Sequence, residues 1–365
     1  MFSRRRLMGG IAGLAWASRV HAGSLRPCIL EDAKVGLRDL ASRRGIVYGA
    51  SISTYQLRTT GFDSVFAREA AVLVPEDEMK RGAVEARRGQ FDFTACEELI
   101  SFARNCGIAA RGHTLLWHAR NPDWLEDAVL ASRDPSLFTG YIATVLSRFR
   151  GRVRSWDVVN EAIQPGDGRA DCLRNSFWLK AYGPSYIDDA YHAARAADPA
   201  AQLVYNDWGF EAGEPENDRF RAATLAFLEA ALARKVPIDA LGVQGHLTAF
   251  GPQVNQQKLR VFLDAVKALG LAILVTEHDV NDSGGPSRID ERDRAVADAS
   301  QRFLDVVLDN SATMSVLTWG LSDRFIWTPG WEQRLASYSP RMLLLDADFS
   351  RKPMWHAIAT SLSAM

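Results

Sequence analysis

The sequence predicts an α/β fold, a single closed parallel barrel of the (β/α)8 TIM type. Three observations carry that expectation. Eight short apolar runs recur along the chain, long amphipathic stretches separate them, and polar residues of catalytic type collect where the runs end. The chain has 365 residues, 47% hydrophobic and 24% charged, enough for one large barrel core.

The first 22 residues read separately from the fold. Arg4, Arg5 and Arg6 form a basic start, residues 9–17 are small and apolar, and Val20-His21-Ala22 offers a small-x-small cleavage site. The apolar stretch is too short to span a bilayer. The pattern predicts a secretory signal over residues 1–22, resembling a twin-arginine export signal. An exported protein, periplasmic or extracellular and free of the membrane after cleavage, is expected. Residues 23–365 then form the barrel. Cleavage removes Arg4, Arg5, Arg6 and Arg19 and no acid, leaving 39 basic residues against 44 acidic. That balance gives no reason to expect nucleic acid or an anionic surface as partner.

Residues 23–44 are expected to cap the barrel bottom or lie beside the first strand. The predicted strands are 46–52, 71–74, 108–115, 153–159, 202–206, 240–244, 272–276 and 314–319. Helical periodicity marks 94–105, 137–149, 185–197, 218–234, 256–269 and 291–308, and a last helix at 354–363 closes the ring. No linker, repeat or low-complexity block divides the chain, so one domain and a monomer are expected. The four cysteines, Cys28, Cys96, Cys106 and Cys172, show no metal-binding spacing. A bridge between Cys96 and Cys106 is disfavoured, because ten helical residues set them about 15 Å apart where a disulfide needs about 7 Å or less.

Chemistry in such a barrel sits at the C-terminal ends of the strands. The second run ends in Glu76, Asp77 and Lys80, the third near His113, Trp117 and His118, the fourth in Asn160 and Glu161. The fifth ends in Asn206, Asp207 and Trp208, the sixth in Gln244 and His246, the seventh in Glu277, His278 and Asp279, and the eighth in Trp319 with Trp327 beyond. Loop capping explains one or two such ends but not seven on one rim.

Strands four and seven lie nearly opposite each other across a barrel mouth, which can bring Glu161 and Glu277 about 5 Å apart, the spacing of retaining glycosidases. Glycosidic cleavage needs one carboxyl protonated and the other ionised. The residues alone leave open which is which. His246 is placed to hydrogen-bond Glu277, with Asp279 orienting the imidazole. Trp319 and Trp327 suit the C–H faces of sugar rings. A metallohydrolase reading draws on His113, His118, His246 and His278, but no His-x-His ends the first run and no His-Glu-x-x-His occurs. Neither metal nor cofactor is expected.

Six ordered motifs carry a resemblance. Arg111-Gly-His-Thr-Leu-Leu-Trp-His118, Trp156-Asp-Val-Val-Asn-Glu-Ala162, Tyr205-Asn-Asp-Trp208, Gly242-Val-Gln-Gly-His-Leu247, Thr276-Glu-His-Asp-Val280 and Thr318-Trp-Gly-Leu-Ser-Asp323 resemble those of glycoside hydrolase family 10, chiefly endo-1,4-β-xylanases. The likeness spans about residues 45–360. It implies a retaining double displacement on xylan or xylo-oligosaccharides, with Glu161 as acid/base and Glu277 as nucleophile. By the same resemblance, Asn160 contacts the sugar 2-hydroxyl, and His246 and Asp279 support the nucleophile. Glu76, Asp77, Lys80, His113, Trp117, Gln244, Trp319 and Trp327 match glycone-side contacts, Asn206 and Trp208 the aglycone side. The chain departs from the family pattern at Asp77 (usually Asn), Arg81 (commonly Trp), Ala119-Arg120 (often Ser-Gln) and His278 (usually apolar).

Overall fold

A computed structural model describes residues 35–326 and 339–364. Its strands are β1 (Val47–Ile52), β2 (Val72–Pro75), β3 (Ala109–Gly112), β4 (Ser155–Asn160), β5 (Gln202–Asp207), β6 (Ala240–Val243), β7 (His246–Thr248), β8 (Ala272–Asn281) and β9 (Thr313–Thr318). All pair in parallel in the order β6-β5-β4-β3-β2-β1-β9-β8-β7, and a β6–β8 pairing closes the ring. Eight strands therefore form the barrel, as the sequence predicts. The ninth, β7, continues β6 after a break at Gln244 and Gly245 and rides on the far half of β8.

The strands form where the apolar runs lie because burial is two-sided: inner faces fill the barrel and outer faces meet the helices. Every residue of β2, β4 and β6 is buried. The helices begin and end close to the periodic stretches, at Thr94–Asn105, Ser136–Phe149, Tyr186–Ala197, Pro215–Ala233, Gln256–Ala268, Ile289–Val307 and Pro353–Ser363. Local chemistry fixes some starts. Asn255 accepts the Lys258 N–H at 3.0 Å and Ser176 that of Leu179 at 3.2 Å, each satisfying an orphan donor of a first helical turn.

The first described helix, Leu37–Arg43, packs beside β1 and against Pro353–Ser363, joining the two ends of the chain. Residues 1–34, which include the predicted export signal and Cys28, and Trp327 lie outside the described residues. Among the described residues, no disulfide joins Cys96, Cys106 or Cys172 to another. No helix among the described residues is long and apolar enough to cross a membrane.

Two irregularities of register shape the mouth of the barrel. The β4–β5 register shifts between Asp157 and Val159, and the β8–β9 register shifts between Val275 and His278. An extra residue in one strand breaks the strict in–out alternation of side chains. At β8 it leaves Thr276 and Glu277, neighbours in sequence, both bonded into the barrel interior, while His278 meets the surrounding helix Ile289–Val307.

Candidate active site

The rim at the C-terminal strand ends opens into a cavity of about 610 Å³. Its wall includes Lys80, His113, Trp117, Asn160, Glu161, Trp208, Gln244, His246, Glu277, Asp279 and Trp319. Residues from strands far apart in sequence thus share one space.

Glu161 leaves β4 with φ of 56°, a left-handed conformation uncommon for a residue with a side chain. Its N–H is held by the Asn206 carbonyl at 2.9 Å and its carbonyl by Arg174 Nε at 2.6 Å. The carboxyl receives Trp117 Nε1 at 3.0 Å on one oxygen, and Gln244 Nε2 at 3.1 Å and Asn160 Nδ2 at 3.3 Å on the other. Trp117, matched to sugar contact by the resemblance, thus also holds the acid.

Glu277 is more enclosed. Asn206 Nδ2 donates to its Oε1 at 2.7 Å, His246 Nε2 lies 3.3 Å from Oε2, and His113 Nδ1 is 3.9 Å away. His246 Nδ1 lies 3.0 Å from Asp279, the arrangement expected from the sequence. Burial disfavours the Glu277 anion, but His113 and His246, with the Asn206 N–H, overcome it and hold the carboxyl at about 2. Burial likewise disfavours a charged His246, yet Asp279 and Glu277 raise its pKa well above the ordinary histidine range. The result is an ionised Glu277 against an imidazolium.

Asn206 corrects the expected aglycone-side contact. It is 0% exposed, beneath the cavity floor. Its amide donates to Asn160 at 2.8 Å and to Glu277, and its oxygen accepts Thr276 Oγ1 at 2.7 Å, so three of its four hydrogen-bonding positions are committed to the protein. A Cβ on Gly242 would stand 2.3 Å from that oxygen, which is why β6 carries glycine there. Trp208 does face the cavity, 36% exposed and packed on Phe220 at 4.8 Å between ring centres.

Lys80 Nζ stands 5.3 Å from the Trp117 ring and 5.6 Å from the Trp319 ring. Trp319 packs edge-on to His113 at 5.3 Å. Glu76 and Asp77 lie outside the main cavity wall. Glu76 accepts Gln56 Nε2 at 3.1 Å, and burial raises its pKa to about 7. Asp77 pairs with Lys80 at 3.1 Å and Arg120 at 2.5 Å. Arg81 turns away from the cavity to pair with Glu85 at 2.8 Å.

Several site residues lie beyond the reach of strand-end reasoning. Asp157, buried in mid-strand, accepts Arg111 Nη1 at 2.6 Å and contacts His113 Nδ1 at 2.8 Å. An acid inside an apolar run is itself a signal, because it must be paired there. His113, Asp157 and Glu277 are grouped closely enough to hold a cation. Arg111 donates to both Asp157 oxygens, so a guanidinium already supplies positive charge there. Glu211, buried in the cavity wall, is a further member that the strand ends do not single out, while Asp207, named at the end of the fifth run, is buried near Glu161.

The sequence profile of Glycosyl hydrolase family 10 matches residues 36–361. Endo-1,4-beta-xylanase B of Thermotoga neapolitana is 31% identical over 295 residues, covering 80% of this chain and 81% of that protein. Among solved structures, native xylanase 10B of Thermotoga maritima superposes with a TM-score of 0.79 at 30% identity, over 90% of this chain and 98% of that one. Xylanase 10B of Thermotoga petrophila RKU-1, in complex with xylobiose, does so equally at 0.79 and 30%, over 91% and 98%. With its barrel, its paired acids and a match running almost the full described length, the chain belongs to glycosyl hydrolase family 10.

Proposed function

We propose that the protein is an exported, monomeric endo-1,4-β-xylanase that cleaves internal xylosidic bonds with retention of configuration. The observation that carries this reading is the unequal pair: Glu277 held ionised, and Glu161 held by three neutral donors at the opposite strand end. In the first step a Glu277 oxygen bonds to the anomeric carbon as the bond to the leaving oxygen breaks. Glu161 gives its proton to that oxygen. In the second, Glu161, now a carboxylate, takes a proton from water. The water oxygen bonds to the anomeric carbon and Glu277 leaves as carboxylate. His246, kept cationic by Asp279, balances Glu277 when it is an anion.

Trp208 and Trp319, beyond the ends of β5 and β9, both line the cavity. The named xylanase relatives support xylan as the polymer. The test is release of reducing ends from xylan, compared with soluble cellulose. No release from xylan, faster release from cellulose, or undiminished release by Glu277→Ala defeats the reading. Proton NMR of the first product is expected to show the β-anomer; the α-anomer contradicts retention. Mass spectrometry of the exported protein is expected to place its first residue at Gly23.

A further inference from the structure

The Gly245 peptide lies between the two residues that hold the acids. Gln244 Nε2 binds Glu161 at 3.1 Å and His246 Nε2 meets Glu277 at 3.3 Å. Gly245 has φ of 74°, and a Cβ there would stand 3.1 Å from the Phe303 ring, so the segment tolerates only glycine without strain. The peptides on either side of it are each gripped by a buried side chain. Glu211 Oε1 accepts the Gly245 N–H at 3.2 Å, and His278 Nδ1 lies 2.9 Å from the Gly245 carbonyl. His278 Nε2 lies 2.8 Å from Ser300 Oγ on the helix Ile289–Val307. His278 is 0% exposed and packs against Phe303 at 5.2 Å.

The chemistry fixes the tautomer. A carbonyl oxygen only accepts, so His278 Nδ1 carries the hydrogen. Nε2 is then bare and accepts the Ser300 hydroxyl. Burial pushes the His278 pKa down to about 4, with Asp279 opposing and His246 reinforcing that shift, so the ring stays neutral at neutral pH. Because the β8 bulge turns Glu277 inward and the next residue outward, one backbone segment carries both the nucleophile and this outer grip.

We propose that His278 is a positioning residue for both carboxyls: with Glu211 it locks the Gly245 segment, and so sets Gln244 against Glu161 and His246 against Glu277. This inference rests on the roles given above to Glu161 and Glu277.

The test compares His278→Leu, His278→Asn and His278→Gln with the parent on whichever β-1,4-glycan the parent hydrolyses. A parent inactive on xylan then refutes the substrate and leaves the grip measurable as a ratio. Leu removes the donor. Asn places an N–H where Nδ1–H stood, and Gln reaches instead toward Ser300. His278→Leu is expected to lose about tenfold to a hundredfold in kcat, the scale of misplacement in a catalytic array. Its KM is expected to change little, and the acid limb of kcat/KM to move to higher pH as His246 loosens from Glu277. His278→Asn is expected to recover most of both effects and His278→Gln to recover neither. Equal activity of the Asn and Gln variants overturns the proposal even if the Leu variant does not fold. So does a folded Leu variant with the parent's kcat and acid limb. Nitrogen-15 NMR of the parent is expected to show the Nδ1–H tautomer for one histidine across neutral pH; finding His278 as Nε2–H also overturns it.

Discussion

Replacing His246 by alanine tests the electrostatics of the nucleophile. The Glu277 carboxyl titrates at about 2 against an ordinary 4.5, although burial pushes the other way. At 1.36 kcal/mol per pH unit, that gap is about 3 kcal/mol of net preference for the anion. His113, His246 and Asn206 share it. His246 is 3.3 Å from the carboxylate, closer than His113 at 3.9 Å. Assigning it roughly half gives a rise of at least about one pH unit in His246→Ala, more if burial is then left unopposed. The assay is kcat/KM on a soluble xylo-oligosaccharide from pH 3 to 8, with a thermal melt at each pH to confirm the fold. The parent is expected to show no acid limb above its unfolding, and the variant a limb inside the window. Stability follows the same sign. A carboxyl held lower in the folded than in the unfolded chain stabilises the fold above about pH 4.5, and the contribution is lost as pH falls toward 2. The variant should therefore lose part of the parent's stability between pH 4 and 7. A variant that also shows no acid limb above its unfolding, with melts identical to the parent's at every pH, refutes the assignment of Glu277's anion to its imidazole partners.

Glu161→Ala is expected to lose about 10²- to 10⁴-fold in kcat on xylan, the range for removing a general acid. The loss should be far smaller on an aryl glycoside whose leaving group needs no proton; equal losses on both contradict the acid role. Arg111→Met strips the guanidinium from the buried Asp157 carboxylate. Breaking such a pair costs about 3–5 kcal/mol, read as a fall in urea stability; a loss under about 1 kcal/mol contradicts the pairing. Asp207 shows the opposite pH sign to Glu277. Burial raises its pKa from 3.8 to about 7, so its folded-state penalty grows as pH rises through that window. Asp207→Asn is expected to flatten the decline in stability between pH 4 and 7 by up to about 4 kcal/mol. An unchanged slope contradicts the shift.

The barrel is legible in the sequence because each strand is buried on both faces. Two-sided burial writes a continuous apolar run, and amphipathic helices write a 3.6-residue period, so the two kinds of element are distinguishable without partners. The end of a strand is where such reasoning fails. The sixth apolar run stops at Gln244, whereas the chain resumes as β7 at His246–Thr248. The seventh stops at Thr276, whereas β8 continues to Asn281. In a sequence, polar residues mark the edge of a sheet. Here they lie within it, because the cavity gives them partners that solvent would otherwise provide.

That displacement explains which parts of the site the sequence hides. Glu161 and Glu277 stand out as acids at the margins of apolar runs, and His246 and Asp279, beside the nucleophile, stand at the ends of the sixth and seventh runs. Asn206 resembles a surface contact because it too sits at a run's end, but the fold places it under both acids. Strict alternation cannot predict this, since it points Thr276 and Glu277 to opposite faces. The bulge between Val275 and His278 turns both inward. Thr276 then anchors the Asn206 oxygen while that amide binds Glu277, and His278 is sent to the Gly245 carbonyl. The β8–β9 register shift thus places the nucleophile, the anchor of its amide donor and the outer histidine. Only pairing between strands can express it, which is why the order of residues along the chain does not reveal it.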